Sequence, residues 1–186
     1  AQLIVPTIYA LITDVIVYIF ALMVRGILAA LVSSVLISVS PIFLTRSIGS
    51  DSDIYNIFFP VVIVFFAYLS FASVGWKKKA VFSSIAGLAV GAYSFAWVGW
   101  WYLFDFIVIA IFADYFFSII KSLRVSGKLD LRAISKSHKT KDALATFLAF
   151  VVSSFISLSL VSGLNVIKAA YASPLRFTKV KIAANA

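Results

Sequence analysis

The stretch Ser47-Ile48-Gly49-Ser50-Asp51-Ser52-Asp53-Ile54 is a polar interruption between two long apolar segments, 26–44 and 55–74. Each segment is long enough to cross a bilayer, whose hydrocarbon core of about 30 Å requires about 20 apolar residues of helix. A polar turn between two such helices lies at a membrane surface. The stretch therefore predicts a membrane protein with an Asp-x-Asp pair at the surface between two spans.

The composition agrees, because the chain is 63% hydrophobic and only 12% charged, whereas soluble domains contain roughly 25% charged residues. The chain contains no cysteine, which excludes disulfides, zinc thiolates and thiol nucleophiles. Its apolar runs are continuous rather than alternating, so they predict helices and not strands. The predicted fold is an all-α polytopic bundle of about six membrane helices, with spans near 3–24, 26–44, 54–74, 80–96, 100–120 and 143–164.

The basic residues predict the orientation of this bundle. Eleven of the sixteen fall on one side: Arg25, the three lysines at 77–79, and seven residues in the loop 121–142. Because cytoplasmic loops are enriched in lysine and arginine, this side is predicted to be cytoplasmic. The loop 45–53 and the segment 165–186, which we interpret as the start of a longer external loop, then face outward. The net charge of +9 reflects this topology, and we expect no binding to nucleic acid.

Rows of small residues predict where helices pack against each other. Glycine, alanine and serine recur at four-residue intervals in three spans, and such rows let helix backbones approach closely in lipid. The alternatives are packing within one bundle, which we favour, and a homodimer face. The three rows are Ala30, Ser34 and Ser38; Ser83, Gly87 and Gly91; and Ala149, Ser153 and Ser157.

The Asp-x-Asp pair has two interpretations. In an extended or turn backbone, Asp51 and Asp53 point to the same side, and their carboxylates suit Mg²⁺ or Mn²⁺. Alternatively, Asp53 caps the helix that begins near Ile54 while Asp51 forms a turn. The two roles are compatible.

The residues around the pair resemble the catalytic subunit of oligosaccharyltransferase, its archaeal members in particular. A helix ends in Ser-Pro and is followed by Arg-Ser-x-Gly, the diacidic pair, Tyr-Asn and Phe-Pro within residues 40–60. Residues 91–101 are similar to the Gly-x-Tyr-Ser-x-x-Trp-x-Gly-Trp-Trp segment of the same family. Residues 173–177, Ser-Pro-Leu-Arg-Phe, are similar to the start of its long fifth external loop. The spacing from Gly49 to Asp51 is one residue shorter than the family's usual spacing.

This resemblance implies part of the membrane domain of a GT-C-type glycosyltransferase in the cell membrane, with its active face outside the cytoplasm. Such enzymes transfer a glycan from a dolichyl or polyprenyl phosphate or pyrophosphate carrier to the asparagine of Asn-x-Ser/Thr. The implied partners are the lipid-linked oligosaccharide, the acceptor polypeptide and membrane lipid. The resemblance assigns Asp51 and Asp53 to catalysis and to binding of Mn²⁺ or Mg²⁺, with Asp53 a second ligand or an orienting neighbour. We interpret the chain as an excerpt of a longer protein and expect it to be inactive alone.

Four side chains near the outer surface have less specific signals. Arg46 is predicted either to bind the phosphate of the lipid carrier or to anchor its helix at the interface. Trp97, Trp100 and Trp101 form an aromatic belt and are also candidates for stacking on sugar.

Aspartates inside the apolar runs carry the rival interpretation, a transporter or channel that uses Asp14 and Asp114. Carboxylates within a membrane are expensive to bury and often functional. We nevertheless expect Asp14 and Asp114 to have neutral or hydrogen-bonded packing roles, with Tyr18 a candidate partner for Asp14. Asp105 and Asp114 are nine residues apart, on opposite sides of one helix, and therefore cannot share a site.

Overall fold

The chain folds into an all-α bundle in a computed structural model that describes residues 4–48, 52–126, 138–163, 165–168 and 170–172. No strand occurs in these ranges. A 3-10 turn at Ser52–Ile54 precedes the fourth helix, and residues 165–168 and 170–172 are also helical. The main helices are α1 (Ile4–Arg25), α2 (Ile27–Ser38), α3 (Pro41–Ile48), α4 (Tyr55–Ala72), α5 (Trp76–Ala96), α6 (Trp100–Ser126) and α7 (His138–Val161).

Five of these helices, α1, α4, α5, α6 and α7, are long and apolar enough to cross a membrane. The pair α2 and α3 gives a sixth candidate, although the two helices meet at a bend of 63°. The polytopic all-α fold predicted from the apolar runs is therefore confirmed. The outward faces of α1, α2 and α6 expose many large apolar side chains, as expected of surfaces that contact lipid.

The bend between α2 and α3 is where the helix bounds depart most from the predicted spans. The sequence predicted one membrane span over 26–44 and a loop over 45–53, whereas α2 ends at Ser38 and α3 continues to Ile48. Proline disfavours helical geometry in the residue before it but suits the first position of a new helix. Ser40 accordingly breaks the helix and Pro41 begins the next one.

The other departures lengthen helices at the expense of predicted loops. Helix α6 continues to Ser126 and α7 begins at His138, both inside the predicted cytoplasmic loop 121–142. Helix α5 begins at Trp76 and therefore includes the three lysines at 77–79. The helical residues 165–168 and 170–172 lie in the predicted external segment 165–186. Basic side chains at helix ends extend to the membrane interface, so these charges do not have to end a helix.

Two glycines with positive φ mark the helix starts at one end of the bundle. At the end that carries Lys77–Lys79, which we call the lysine end, α2 and α5 each follow a glycine with positive φ: Gly26 at 83° and Gly75 at 88°. Only glycine adopts such angles without steric cost, and these glycines turn the chain sharply back into the membrane. The opposite end, which carries Asp53, is called the aspartate end.

The tightest packing joins α5 to α7 along the predicted small-residue rows, and we call this contact the α5–α7 seam. A Cβ atom built on Gly91 would lie 2.7 Å from the backbone carbonyl carbon of Ser157, and one on Gly87 would lie 2.5 Å from the carbonyl oxygen of Phe150. The Ser157 hydroxyl donates a hydrogen bond of 3.0 Å to the Leu88 carbonyl oxygen across the seam. These two rows therefore pack within the bundle, as the favoured interpretation expected.

Helix α7 meets α6 through aromatic rings instead. Phe104 of α6 stacks on Phe150 with ring centroids 5.5 Å apart and contacts Phe155 edge to face at 6.3 Å. Phe112 and Phe147 form a third ring contact at 5.3 Å, nearer the lysine end. Rings keep the backbones apart, so this contact leaves space that the α5–α7 seam does not have.

The third small-residue row binds a half-buried carboxylate. Ser34 and Ser38 of α2 donate hydrogen bonds of 2.7 and 3.2 Å to the two carboxylate oxygens of Asp14 in α1. The partners of Asp14 are therefore serines of the neighbouring helix and not Tyr18. This contact agrees with the expected hydrogen-bonded packing role for Asp14.

Candidate functional site

The candidate site is built around Asp53, in the 3-10 turn before α4 at the aspartate end. Arg46, in the last turn of α3, forms an ion pair with the Oδ2 atom of Asp53. Each charge also complements its helix, because a cation is favoured at a helix C-terminus and an anion at a helix N-terminus. The bend at Ser40 sends α3 toward the start of α4 and so brings the two side chains together.

The second carboxylate oxygen of Asp53 is also engaged. The Asn56 amide donates a hydrogen bond of 3.3 Å to Asp53 Oδ1. The Asn56 side-chain oxygen is buried and has no hydrogen-bond partner within the described part of the chain. Asp53 therefore cannot turn freely, because both of its oxygens are held by named partners.

Apolar contacts fix the turn that carries Asp53 onto α1. Ile54 is fully buried and packs in a small cluster with Ala10 and Phe43. The Tyr9 ring contacts Tyr55 and Phe58 edge to face, with centroids 5.0 and 4.7 Å apart. Ile54 and Tyr55 come directly after Asp53, so this packing against α1 also fixes the position of the Asp53 carboxylate.

The ion pair itself contributes little to stability. The side chains of Arg46 and Asp53 are 42% and 37% exposed, and exposed pairs typically contribute about 0 to 1 kcal/mol. Its value to the protein is positional: it holds a charged group of each sign at the start of a membrane helix.

The described residues alone do not form a metal centre. No group of three or more His, Cys, Asp or Glu side chains in the described ranges is arranged to hold a metal ion. Asp53 already binds Arg46 and Asn56, which suits an orienting neighbour better than a direct ligand. Asp51, the residue predicted as the main ligand, lies outside the described residues.

The three tryptophans of the predicted belt have different environments. Trp100 is 1% exposed and packs in the main core, with its indole nitrogen unpartnered among the described residues. Trp97 is 39% exposed and folds back over Gly99, where a Cβ would lie 2.3 Å from its ring. Trp101 is half-buried and contacts the Tyr171 ring at 6.2 Å. Only Trp97 and Trp101 therefore keep surface on which a sugar could stack.

Asp105 has a partner that the sequence reasoning did not identify. The Tyr171 hydroxyl donates a hydrogen bond of 2.9 Å to Asp105 Oδ1. Partial burial, together with this hydrogen bond and the charge of Asp105, raises the pKa of Tyr171 to about 12. The contact ties the segment after α7 to the start of α6. A tyrosine 66 residues away in sequence gives no local signal, so the pairing could not be read from the sequence.

The membrane aspartates of the transporter hypothesis are not assembled into one site. Asp14 is bound by Ser34 and Ser38 between α1 and α2, whereas Asp114 is exposed on the outer face of α6.

Asn56, which contacts Asp53, is a functional candidate that the sequence did not lead us to name. Its signal was present, because an amide three residues after an aspartate lies one turn away on a helix.

Comparison with known proteins identifies the chain's family. Residues 1–181 match the family model described as oligosaccharyl transferase STT3, N-terminal. No curated protein and no solved structure matches the chain.

Proposed function

The chain belongs to the oligosaccharyl transferase STT3 family, and from this membership we propose which of its residues serve the transfer reaction. The family performs oligosaccharyl transfer in protein N-glycosylation, and the helices make this chain a multi-pass membrane member. Membership does not favour the rival transporter hypothesis.

We propose that the donor is a glycan on a dolichyl or polyprenyl phosphate or pyrophosphate, and that the acceptor is the asparagine of Asn-x-Ser/Thr. The amide nitrogen of asparagine is a poor nucleophile, and the phosphate leaving group develops negative charge as the glycan departs. A bound Mn²⁺ or Mg²⁺ would stabilise that charge as a Lewis acid. In this proposal Asp51 is the ligand for the metal, since a carboxylate is the ligand type that both cations prefer.

The observation that supports the proposal is the fixed carboxylate of Asp53, two residues after Asp51. Ligating carboxylates need neighbours that orient them, and losing such a neighbour typically costs about 10–100-fold in metal affinity or activity. Asp53, held by Arg46 and Asn56, acts in our proposal as that neighbour. Arg46 acts first as the partner that positions Asp53, and its side chain, 42% exposed, is our candidate for contacting the lipid phosphate.

The test is transfer of a labelled lipid-linked glycan to an Asn-x-Thr peptide by the full-length protein in detergent, over a range of Mn²⁺ and Mg²⁺ concentrations. We expect Asp51→Asn to abolish transfer, because the amide keeps the shape and loses the anion. Asp53→Asn should lower transfer about 10–100-fold and raise the metal concentration needed for half-maximal rate. Asp114→Asn, which removes an exposed carboxylate elsewhere, is the matched control and should transfer normally. If Asp51→Asn instead transferred the glycan with the same metal dependence as the wild type, the metal assignment would be wrong.

A double-variant cycle separates the two roles of Arg46. If Arg46 acts only by positioning Asp53, then Arg46→Gln should have little further effect once Asp53→Asn is present. If Arg46 binds the lipid phosphate, the two effects should add and the KM for the lipid carrier should rise. We expect the first result, because the structure already engages Arg46 with Asp53.

The orientation belongs to the same proposal, with the aspartate end outside the cytoplasm. The chain has no native cysteine, so Ser52→Cys and Ser126→Cys report the two ends separately. An impermeant thiol reagent applied to sealed, right-side-out cells should label Ser52→Cys and leave Ser126→Cys unlabelled. The reverse pattern would overturn the orientation.

A further inference from the structure

The ring contacts between α6 and α7 leave a crevice toward the lysine end. Its volume is about 320 Å³, and it is open on one side. Its walls are almost entirely apolar. The lining residues are Ile111, Phe112, Tyr115, Thr140, Ala143, Leu144 and Phe147.

The crevice has a closed inner end and a polar outer end. At the inner end the Phe112 and Phe147 rings contact each other at 5.3 Å. At the outer end the hydroxyls of Tyr115 and Thr140 lie 3.4 Å apart. A volume at the low end of the usual range for ligand sites, apolar inside and polar only at the surface, has the shape and chemistry for an alkyl chain with a polar head.

Lysines are concentrated at the end of the bundle where the polar end of the crevice lies. Lys79 lies 3.7 Å from Asp142, which places the start of α5 beside the start of α7. Lys77, Lys78 and Lys141 are exposed at this end. Lys141 is three residues before Leu144 and therefore one turn nearer the surface on the same side of α7. The exposed Asp114 lies one position before Tyr115, about 100° round α6, and does not line the crevice.

We propose that this crevice binds one anionic phospholipid of the bilayer, with an acyl chain between α6 and α7 and its phosphate at Lys141. The charge at the opening selects this occupant, since clusters of basic residues beside membrane helices attract anionic headgroups. The site is independent of the proposed transfer reaction, because it lies at the lysine end and Asp53 lies at the other.

The test is native mass spectrometry of the full-length protein in detergent with added phosphatidylglycerol or phosphatidylcholine of the same chain length. We expect one phosphatidylglycerol to be retained in preference to phosphatidylcholine. Lys141→Gln should weaken phosphatidylglycerol binding about fivefold, the effect of one basic charge near a lipid surface, and leave phosphatidylcholine unchanged. Lys168→Gln removes an exposed charge from the opposite end and should change neither.

Two crevice variants test the acyl chain. Ala143→Trp fills the crevice and should abolish binding of both lipids, while Val152→Trp, at a lipid-exposed position farther along α7, should not. Should Ala143→Trp fail to fold, Leu144→Gln introduces a polar group at a position already 55% exposed and should weaken both lipids. Equal retention of both lipids by the wild type, or full binding in the crevice variants, would overturn the proposal. Displacement of phosphatidylglycerol by polyprenyl phosphate at equal concentration would also overturn it, since the crevice would then hold the carrier.

Discussion

Helix α7 packs against α5 through small residues, serines of α7 against glycines of α5, but packs against α6 through phenylalanine rings. On the α5 side the backbones approach so closely that a Cβ at Gly91 would lie 2.7 Å from a backbone atom of Ser157. On the α6 side the Phe104 and Phe150 rings fill the gap at 5.5 Å between centroids and leave a crevice beyond them. In lipid no hydrophobic force drives helices together, so close fit holds one contact and ring surface holds the other. The first contact should be intolerant of added atoms, and the second should respond mainly to lost ones.

The largest expected effect breaks the α5–α7 seam by adding one methyl group. Gly91→Ala places a Cβ against backbone as well as against the Ser157 side chain, so the helices have to separate. Overpacking of this kind typically costs about 1–3 kcal/mol. The measurement is the free energy of unfolding in mixed micelles titrated with sodium dodecyl sulfate. Val81→Ile adds a methyl at an exposed position of the same helix and should be neutral; equal stability of both variants would show that the seam is looser than described.

Removing ring surface should weaken the α6 contact by a smaller amount. Phe104→Leu deletes the stack on Phe150 and the edge contact to Phe155. Aromatic pairs contribute about 0.5–1.5 kcal/mol beyond their buried area, so we expect a loss of about 1 kcal/mol in the same assay. Phe106, two residues along and 64% exposed, provides the control, because Phe106→Leu removes a ring that faces outward. A Phe106→Leu loss as large as that of Phe104→Leu would mean that ring stacking does not hold α6 in place.

Deleting a polar contact across the seam should matter less again. Ser157→Ala removes the hydrogen bond to the Leu88 carbonyl, and interhelical hydrogen bonds in membranes average about 0.6 kcal/mol. Ser159→Ala is matched in chemistry, since Ser159 is exposed and, within the described part of the chain, bonds to the Phe155 carbonyl of its own helix. If Ser157→Ala cost well above 1 kcal/mol and Ser159→Ala did not, hydrogen bonding rather than close fit would be the main interaction that stabilises the seam.

The smallest effect concerns the pH dependence of the contact that joins α6 to the segment after α7. The pKa of Tyr171 is raised to about 12, above the ordinary value of about 10, so folding favours the neutral phenol. The stabilisation is complete below about pH 10 and is lost as the pH rises through about 12. Ultraviolet difference absorbance of wild type against Tyr171→Phe isolates this titration. Asp105→Asn should lower the pKa only part of the way, because burial is the largest cause, and Asp114→Asn should leave it unchanged.

The sequence predicted the seam better than it predicted the ring contact. Four-residue rows of glycine and serine in a membrane helix indicate close packing, so the spacing of Gly87, Gly91 and Ser157 predicted that their helices would pack closely. Phenylalanine occurs 18 times in the chain, and nothing in the sequence distinguishes the packed Phe104 from the exposed Phe106. The bend at Ser40 also had a signal in Pro41, but the apolar run continues through it to Leu44 and concealed the break.

The candidate site divides in the same way. The nearness of Asp53 to the start of α4 followed from the local sequence, and its spacing from Asn56 could have predicted their hydrogen bond. The ion pair with Arg46 depends on the angle between α3 and α4, which no local pattern encodes. Asp51 lies outside the described residues, so its role stays a prediction.

The contact of Asp14 with Ser34 and Ser38 has a consequence for how the protein enters the membrane during synthesis. An aspartate at the centre of a helix raises the free energy of insertion by about 2.5–3.5 kcal/mol, and α1 alone has no group in α2 to offset it. The two hydroxyls reach the carboxylate only when α2 lies beside α1. Insertion of α1 and α2 as a helical hairpin is therefore favoured over insertion of α1 by itself, and the sharp turn at Gly26 places α2 directly after α1.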